Sequence, residues 1–238
     1  MASQDFDIDS LAAYLHLAPQ QVARMADRGK LPGRKVSGHW RFTEAEIHHW
    51  LEDRIGLSDE EQLVQMESVL DRRSGARDEV VSIGKMLPLD AIAVPLQART
   101  RGSVIGQMCD LAARTGLLWD AERMADAVRE RENLHPTALD IGVALLHPRR
   151  PTPNLLAEPF LALGRTYQGI PFGGAQGELT DIFFLILSTD DRGHLRMLAR
   201  LSRLLGDSVT LDGLRCCDDP VSTRDWIALR EAELFGGL

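Results

Sequence analysis

No stretch of the 238 residues stays apolar long enough to span a bilayer. None of the three cysteines, Cys109, Cys216 and Cys217, falls in a C-x-x-C or Cys/His metal spacing. The first absence argues against insertion in a membrane, and the second against a zinc site or a disulfide framework. An odd number of cysteines fits reduced thiols in a cytosol. Cys109 reads as core, and the adjacent Cys216 and Cys217, which must point different ways, read as packing, with a vicinal redox pair as the alternative. The N-terminal MASQDFDIDS is acidic where a secretory leader would be basic and then greasy, so the expected location is cytoplasmic. Positive charge is also short. A formal net charge of −8 argues against a chain that coats nucleic acid non-specifically, and any DNA contact must be local.

What is present is the composition of a soluble globular protein, 44% hydrophobic and 26% charged, long enough for two modest domains. In FDIDSLAAYLHLA, Leu11, Tyr14 and Leu15 stand at helical spacing behind an Asp/Ser start. Pro19 opens a second short helix with Val22 and Met25 facing inward, closed by Gly29. A hairpin follows, with Val36, Trp40 and Phe42 set around a Ser37-Gly38 turn. Thr43 and Glu46 stand at capping-box spacing before a third helix that buries Ile47, Trp50 and Leu51.

These fifty residues resemble the excisionase-type (MerR-like) winged helix-turn-helix domain, which implies double-stranded DNA as a partner. By that resemblance the second helix offers Gln20, Gln21, Arg24 and Arg28 to the major groove. The wing offers Arg34, Lys35, His39 and Arg41 to the backbone. Amides and guanidiniums are the groups that pair bidentately with adenine and guanine edges. Asp5, Asp7, Asp9, Asp27, Glu44, Glu46, Glu52 and Asp53 cancel the basic charge of this segment overall, and a protein-binding module is the alternative.

Next, Ser58 and Glu61 stand at capping-box spacing, and Leu63, Met66 and Leu70 share a stripe. Residues 58–73 could zip two copies into a homodimer, or pack on their own domain. The small, polar SGARDE, residues 74–79, is the expected linker. The expected domains are therefore 1–56, a helix and linker over 57–79, and 80–238.

Helices and strands alternate through residues 80–238, which predicts an α/β class with a mixed sheet flanked by helices. The first strand is expected in DAIAVPLQA, residues 90–98. Thr100 should open a helix carrying Val104, Ile105, Met108 and Leu111, closed by Gly116, and Asp120 should cap the next. DIFFLILS is expected to be a strand buried on both faces. Asp190 or Asp191 should start a helix with Leu195, Leu198, Leu201 and Leu205 inward, and Ser222 the closing one. GGAQG lacks the lysine and hydroxyl residue that a phosphate cradle needs, and reads as a turn.

The stretch RENLHPTALDIGVALLHPRR ends a helix with an Arg-Glu pair and delivers His147 to the end of an apolar run, just before Pro148. The proline stops the strand, so the expectation is an imidazole at an edge open to a partner, with an arginine from the helix able to hold an anion beside it. A lone strand-end histidine is more often structural than reactive. This segment, however, resembles the active-site signature of the mannitol/fructose-type enzyme IIA domains of the bacterial phosphoenolpyruvate-dependent sugar phosphotransferase system, and of their nitrogen-regulatory relatives. Arg131, Glu132, Thr137, Gly142, Ala144 and His147 fall on matching positions, while Pro136, Ala138, Asp140 and Leu146 depart from the pattern. IPFGGAQGELTDIFFLILSTDDRGHLRMLARL continues the match and places His194 at the second active-site histidine.

The resemblance implies a phosphohistidine relay. His147 would accept phosphate from a histidine-phosphorylatable carrier protein, Arg131 would neutralise the phosphoryl oxygens, and His194 or the Thr137 hydroxyl would orient the ring or the phosphate. No cofactor and no metal is called for. Two alternatives stay open: a IIA-like interaction or sensor module that no longer transfers phosphate, and a sugar-transport IIA with an accessory domain.

Overall fold

A computed structural model describes residues 5–15, 17–43, 46–47, 50–51, 81–174 and 176–236. The chain divides into two compact units, Met1–Glu79 and Val80–Leu238. Residues 58–73 and the expected linker at 74–79 lie outside the described residues.

In the first unit, strand β1 (Asp5–Phe6) leads into helix α1 (Ile8–Leu15). Asp7 sets that helix start, because Ser10 N donates to its carboxylate at 2.8 Å and Asp7 N donates to the Ser10 hydroxyl at 2.9 Å. Helix α2 (Pro19–Asp27) buries Val22 and Ala26 and leaves Met25 half-buried, so the inward stripe is one residue off the expected one. Strands β2 (Arg34–Val36) and β3 (His39–Thr43) form the expected hairpin. Its turn uses positive φ at both Ser37 and Gly38, which matches the right-handed twist of the flanking strands. Phe42 is fully buried, but Val36 is exposed, as are the other two residues of β2. Strand β1 pairs with the other side of β3, a pairing that its two residues do not announce in the sequence. Thr43 and Glu46 make the expected cap, Glu46 N donating to the Thr43 hydroxyl at 3.3 Å.

The second unit is built on a mixed five-stranded sheet in the order β4-β7-β8-β6-β5. Strand β4 is only Ile92–Ala93, shorter than the nine-residue run read from sequence. Pro95 has no N–H for the ladder, and a 3-10 turn over Leu89–Ala91 takes up the residues before it. Helix α3 (Arg101–Arg114) starts on a reciprocal Thr100/Ser103 cap, and α4 (Ala121–Leu134) on Asp120. The chain then makes β5 (Ala138–Leu139), β6 (Val143–Leu146), β7 (Phe160–Pro171) and β8 (Leu179–Leu187). Strand β8 sits centrally, antiparallel to β7 and parallel to β6, and its last six residues are buried. That position accounts for its unbroken apolar run, since both faces are covered by helices. Gly164 on β7 lets α3 approach closely: a Cβ there would meet the Met108 sulfur at 2.6 Å.

Helix α5 (Asp191–Gly206) is capped by Asp190 and buries all four expected leucines. Helix α6 (Ser208–Cys216) was not expected. Asp207 caps it immediately after α5 ends, accepting from Thr210 N, and Leu211 and Leu214 are buried. Helix α7 (Pro220–Phe235) starts at Asp219, three residues before the expected Ser222, because the Asp219 carboxylate accepts from the N–H groups of both Val221 and Ser222. Glu231 on α7 is 7% exposed and gathers the entry of the unit. Ser82 Oγ, Ile83 N and Gly84 N donate to its carboxylate at 2.9, 2.9 and 3.1 Å, and Arg200 of α5 stands 3.3 Å away. No described helix is long and apolar enough to cross a membrane.

Candidate functional site

The last turn of α4 carries two buried ionisable side chains, Arg131 at 4% exposed and Glu132 at 1%. Arg131 turns to the loop that follows, its Nη1 donating to the His135 carbonyl at 2.9 Å. Glu132 is the hub. Thr137 N donates to its carboxylate at 3.2 Å, the Thr137 hydroxyl donates to it as well, and the Arg101 guanidinium pairs with it at 3.0 Å. Arg101 also donates to the Glu132 carbonyl and stacks over the Phe172 ring, 5.6 Å from its centroid. Burial nonetheless pushes the Glu132 carboxyl above its ordinary value, against the opposing pull of Thr137 and Arg101.

That hub reaches the strand end in two steps. Leu145 N donates to the Thr137 carbonyl at 3.2 Å, extending the β5-β6 pairing by one residue, and the Leu145 carbonyl lies 2.8 Å from His147 Nδ1. A backbone carbonyl can only accept, so Nδ1 carries the proton and the Nε2 of neutral His147 keeps its lone pair. His194, in the first turn of α5, brings its ring to 5.0 Å from that of His147, the planes inclined at 56°. The Ser188 hydroxyl lies 3.3 Å from its Nδ1.

Two expectations need correction. His147 was expected at an open edge, yet it is 3% exposed, as is His194. Strand β5 pairs along the outer side of β6, and the second imidazole packs against the first, so the strand end is not an edge. Thr137 was expected to offer its hydroxyl to the ring or a phosphate, but that proton goes to Glu132. His147 and His194 are thus in direct contact, Thr137 is joined to them through the backbone of Leu145, and Arg131 stands beside Glu132 with one nitrogen committed to the loop.

Glu132, Arg101 and Ser188 were not singled out as site residues. Glu132 was visible as half of the Arg-Glu pair. Ser188 ends the DIFFLILS run, where a polar residue closing a buried strand is a weak signal. Arg101 comes from another helix thirty-one residues earlier, and nothing in local spacing points to it.

In the first unit Gln20, Gln21, Arg24, Arg28, Arg34, Lys35, His39 and Arg41 are all exposed. The wing cations are matched by carboxylates: Arg34 with Asp5 at 3.4 Å, Lys35 with Asp27 at 3.4 Å, Arg41 with Asp7 at 3.9 Å. The cancellation of charge seen in the composition is therefore local to the wing. Asp27 also accepts from the Trp40 indole at 3.1 Å, which ties the end of α2 to β3. Among the described residues no group of three or more His, Cys, Asp or Glu side chains is placed to hold a metal ion.

Comparison with known proteins gives two family matches. Residues 85–227 match the model described as "Phosphoenolpyruvate-dependent sugar phosphotransferase system, EIIA 2", and residues 6–55 match a helix-turn-helix domain. Among relatives, the fructose-specific EIIA component of Haloferax volcanii is 28% identical over 129 residues, 53% of this chain and 82% of that protein. A nitrogen regulatory protein of Bradyrhizobium diazoefficiens is 30% identical over 146 residues, 60% of this chain and 92% of that one. The fold is that of the nitrogen regulatory protein IIA-Ntr of Neisseria meningitidis, with a TM-score of 0.53 at 22% identity over 61% of this chain and 98% of that one.

Proposed function

The chain belongs to the phosphotransferase system EIIA 2 family, with a helix-turn-helix domain ahead of the matched residues, and on that premise we propose that it is a cytoplasmic DNA-binding regulator whose second domain accepts a phosphoryl group on His147. One observation carries this: the Nδ1 proton of His147 is held on the Leu145 carbonyl, which leaves Nε2 nucleophilic beside a second imidazole. The donor is the phosphohistidine of a carrier protein. The Nε2 lone pair of His147 attacks phosphorus, the N–P bond of the donor breaks, and the electron pair stays on the donor ring. One N–P bond replaces another. Each ring keeps the N–H on its other nitrogen, so no proton is gained or lost.

Arg131 lowers the cost of the phosphoryl charge, His194 donates to an equatorial oxygen, and Thr137 acts through the loop it ties to Glu132. Catalysis of this kind is mostly positioning and electrostatics. The N-terminal domain, residues 1–56, reads DNA through Gln20, Gln21, Arg24 and Arg28, with Arg34, Lys35 and Arg41 on the wing. Residues 57–79 connect it to the IIA domain, 80–238, and the stripe over 58–73 pairs two copies. The phosphorylation state then alters DNA binding or partner choice.

The burial of His147 favours a second reading, in which the domain binds a partner or ligand and transfers nothing. The full chain is incubated with phosphoenolpyruvate, the general phosphotransferase enzyme and the carrier. Acid-labile phosphate on the wild type that is lost in His147→Ala supports the first reading, and an unlabelled wild type leaves the second. A salt-sensitive gel shift on the upstream region of the protein's own gene separates the regulator from a sugar-transport component with an accessory domain.

A further inference from the structure

The two imidazoles are held by chemically different partners. Leu145 offers His147 a carbonyl, which can only accept; Ser188 offers His194 a hydroxyl, which can also donate. We infer that Ser188 is a positioning residue that places the single proton of neutral His194 on Nε2, so that the paired rings hold opposite tautomers: a lone pair on Nε2 of His147 and an N–H on Nε2 of His194. The inference rests on the phosphoacceptor reading of the site.

Ser188 is well fixed for this task. It follows the last residue of β8, is 2% exposed, and its carbonyl accepts from Thr152 N at 3.3 Å. On the other side Asp190 caps α5, accepting from Gly193 N at 2.8 Å, and its carbonyl accepts from His194 N at 3.1 Å. Strand end and helix start are thereby both anchored, with the Ser188 Oγ to His194 Nδ1 distance at 3.3 Å between them.

If the ring donated from Nδ1 to the hydroxyl, Nε2 of His194 would turn a lone pair toward the anionic phosphoryl oxygens. His147 cannot supply the missing donor, because its N–H is committed to Leu145 and its Nε2 lone pair is the nucleophile. With the hydroxyl donating to Nδ1, His194 presents an N–H to the phosphoryl group without taking up a charge. A preorganised donor aimed at the transferring group is worth more in a water-excluded site than in solution.

The test uses the full chain with nitrogen-15-labelled histidine. Two-bond proton-nitrogen correlation spectra distinguish the two neutral tautomers without any phosphotransfer. His194 is expected as the Nε2–H form in the wild type, as a mixture of tautomers in Ser188→Ala, and restored in Ser188→Thr, while His147 stays Nδ1–H in all three. The rate of labelling from the phosphorylated carrier is expected to fall about tenfold in Ser188→Ala, the worth of one hydrogen bond, at unchanged KM for the carrier, and to recover in Ser188→Thr. An Nδ1–H His194 in the wild type overturns the inference whatever the labelling shows, as does a Ser188→Ala protein with wild-type tautomer and rate. An unlabelled wild type with an Nε2–H His194 instead overturns the phosphoacceptor reading, and with it the donor role, while leaving the Ser188 assignment standing.

Discussion

Arg215, near the end of α6, reaches the turn ahead of β6 and places a guanidinium nitrogen 3.0 Å from the carbonyl of Ile141, while holding the Asp181 carboxylate of β8 at 2.8 Å. The next residue, Gly142, has φ of +80°, and a Cβ there would stand 2.7 Å from that guanidinium. Gly142→Ala therefore meets two costs, a left-handed backbone and a displaced ion pair. The expected loss is about 2 kcal/mol of unfolding free energy in urea titration. Arg215→Lys, which keeps the charge but not the fork, should lose less, and a neutral Gly142→Ala would show that the turn relaxes freely.

Glu132→Ala should be among the costliest single changes in the second unit, about 3 kcal/mol, because it leaves the Thr137 N–H and hydroxyl and the Arg101 guanidinium without their acceptor. Circular dichroism during urea unfolding reads it directly. A cost below 1 kcal/mol would mean that the cluster repacks.

The pH dependence of the same residue has a definite sign. Folding raises the Glu132 carboxyl above its ordinary 4.5, so between that value and the raised one the folded state binds more protons than the unfolded state. Stability from this group is fully present below 4.5 and is lost as pH rises through the folded-state value. The difference in unfolding free energy between wild type and Glu132→Gln should accordingly move against the wild type as pH increases from about 4. A difference that moves the other way would show that Arg101 and Thr137 outweigh burial.

On the DNA side, Arg24→Ala and Arg28→Ala should each weaken binding by about 1–3 kcal/mol where the side chain reads a base edge. The wing behaves differently, since Arg34 and Arg41 lie beside Asp5 and Asp7. Asp5→Asn or Asp7→Asn should tighten non-specific binding and steepen the salt dependence by about one phosphate contact each. Gel shifts at two salt concentrations decide, and unchanged slopes would remove the wing from the interface.

Thiol titration should resolve the three cysteines. Burial pushes the Cys109 thiol up to about 12, and Cys217 is also raised, chiefly by burial, whereas Cys216 is exposed. Ellman's reagent should react first with Cys216, then with Cys217, and with Cys109 only after denaturant is added. Early loss of the Cys109 thiol would indicate that α3 opens readily.

How much of this was legible in the sequence depended on the range of the interaction. Caps such as Thr100 and Asp120 are local, since the side chain and the N–H it accepts from lie within three residues, and both are legible, while the start of α5 is legible only as Asp190 or Asp191. The β8 run was legible because burial on both faces leaves no polar alternation. Helix α6 is hard to read from sequence because it has only nine residues and opens at Asp207, the residue that closes α5, with no loop between them. Arg101 was missed because its partner is on another helix. The burial of His147 is not legible for a related reason: β6 ends just ahead of His147 and Pro148, but whether a strand end is open depends on β5 and α5, which the residues around Pro148 do not encode.

The carboxylate of Glu231 holds the backbone amides of Ile83 and Gly84 against α7. A mechanical load on the polypeptide ahead of Ser82 thus reaches α7, and Arg200 of α5 with it, before it reaches the strands. The Arg200 guanidinium lies 3.8 Å from the centroid of the Phe235 ring, so removing Phe235 would loosen the opposite end of that unit through Arg200 and Glu231.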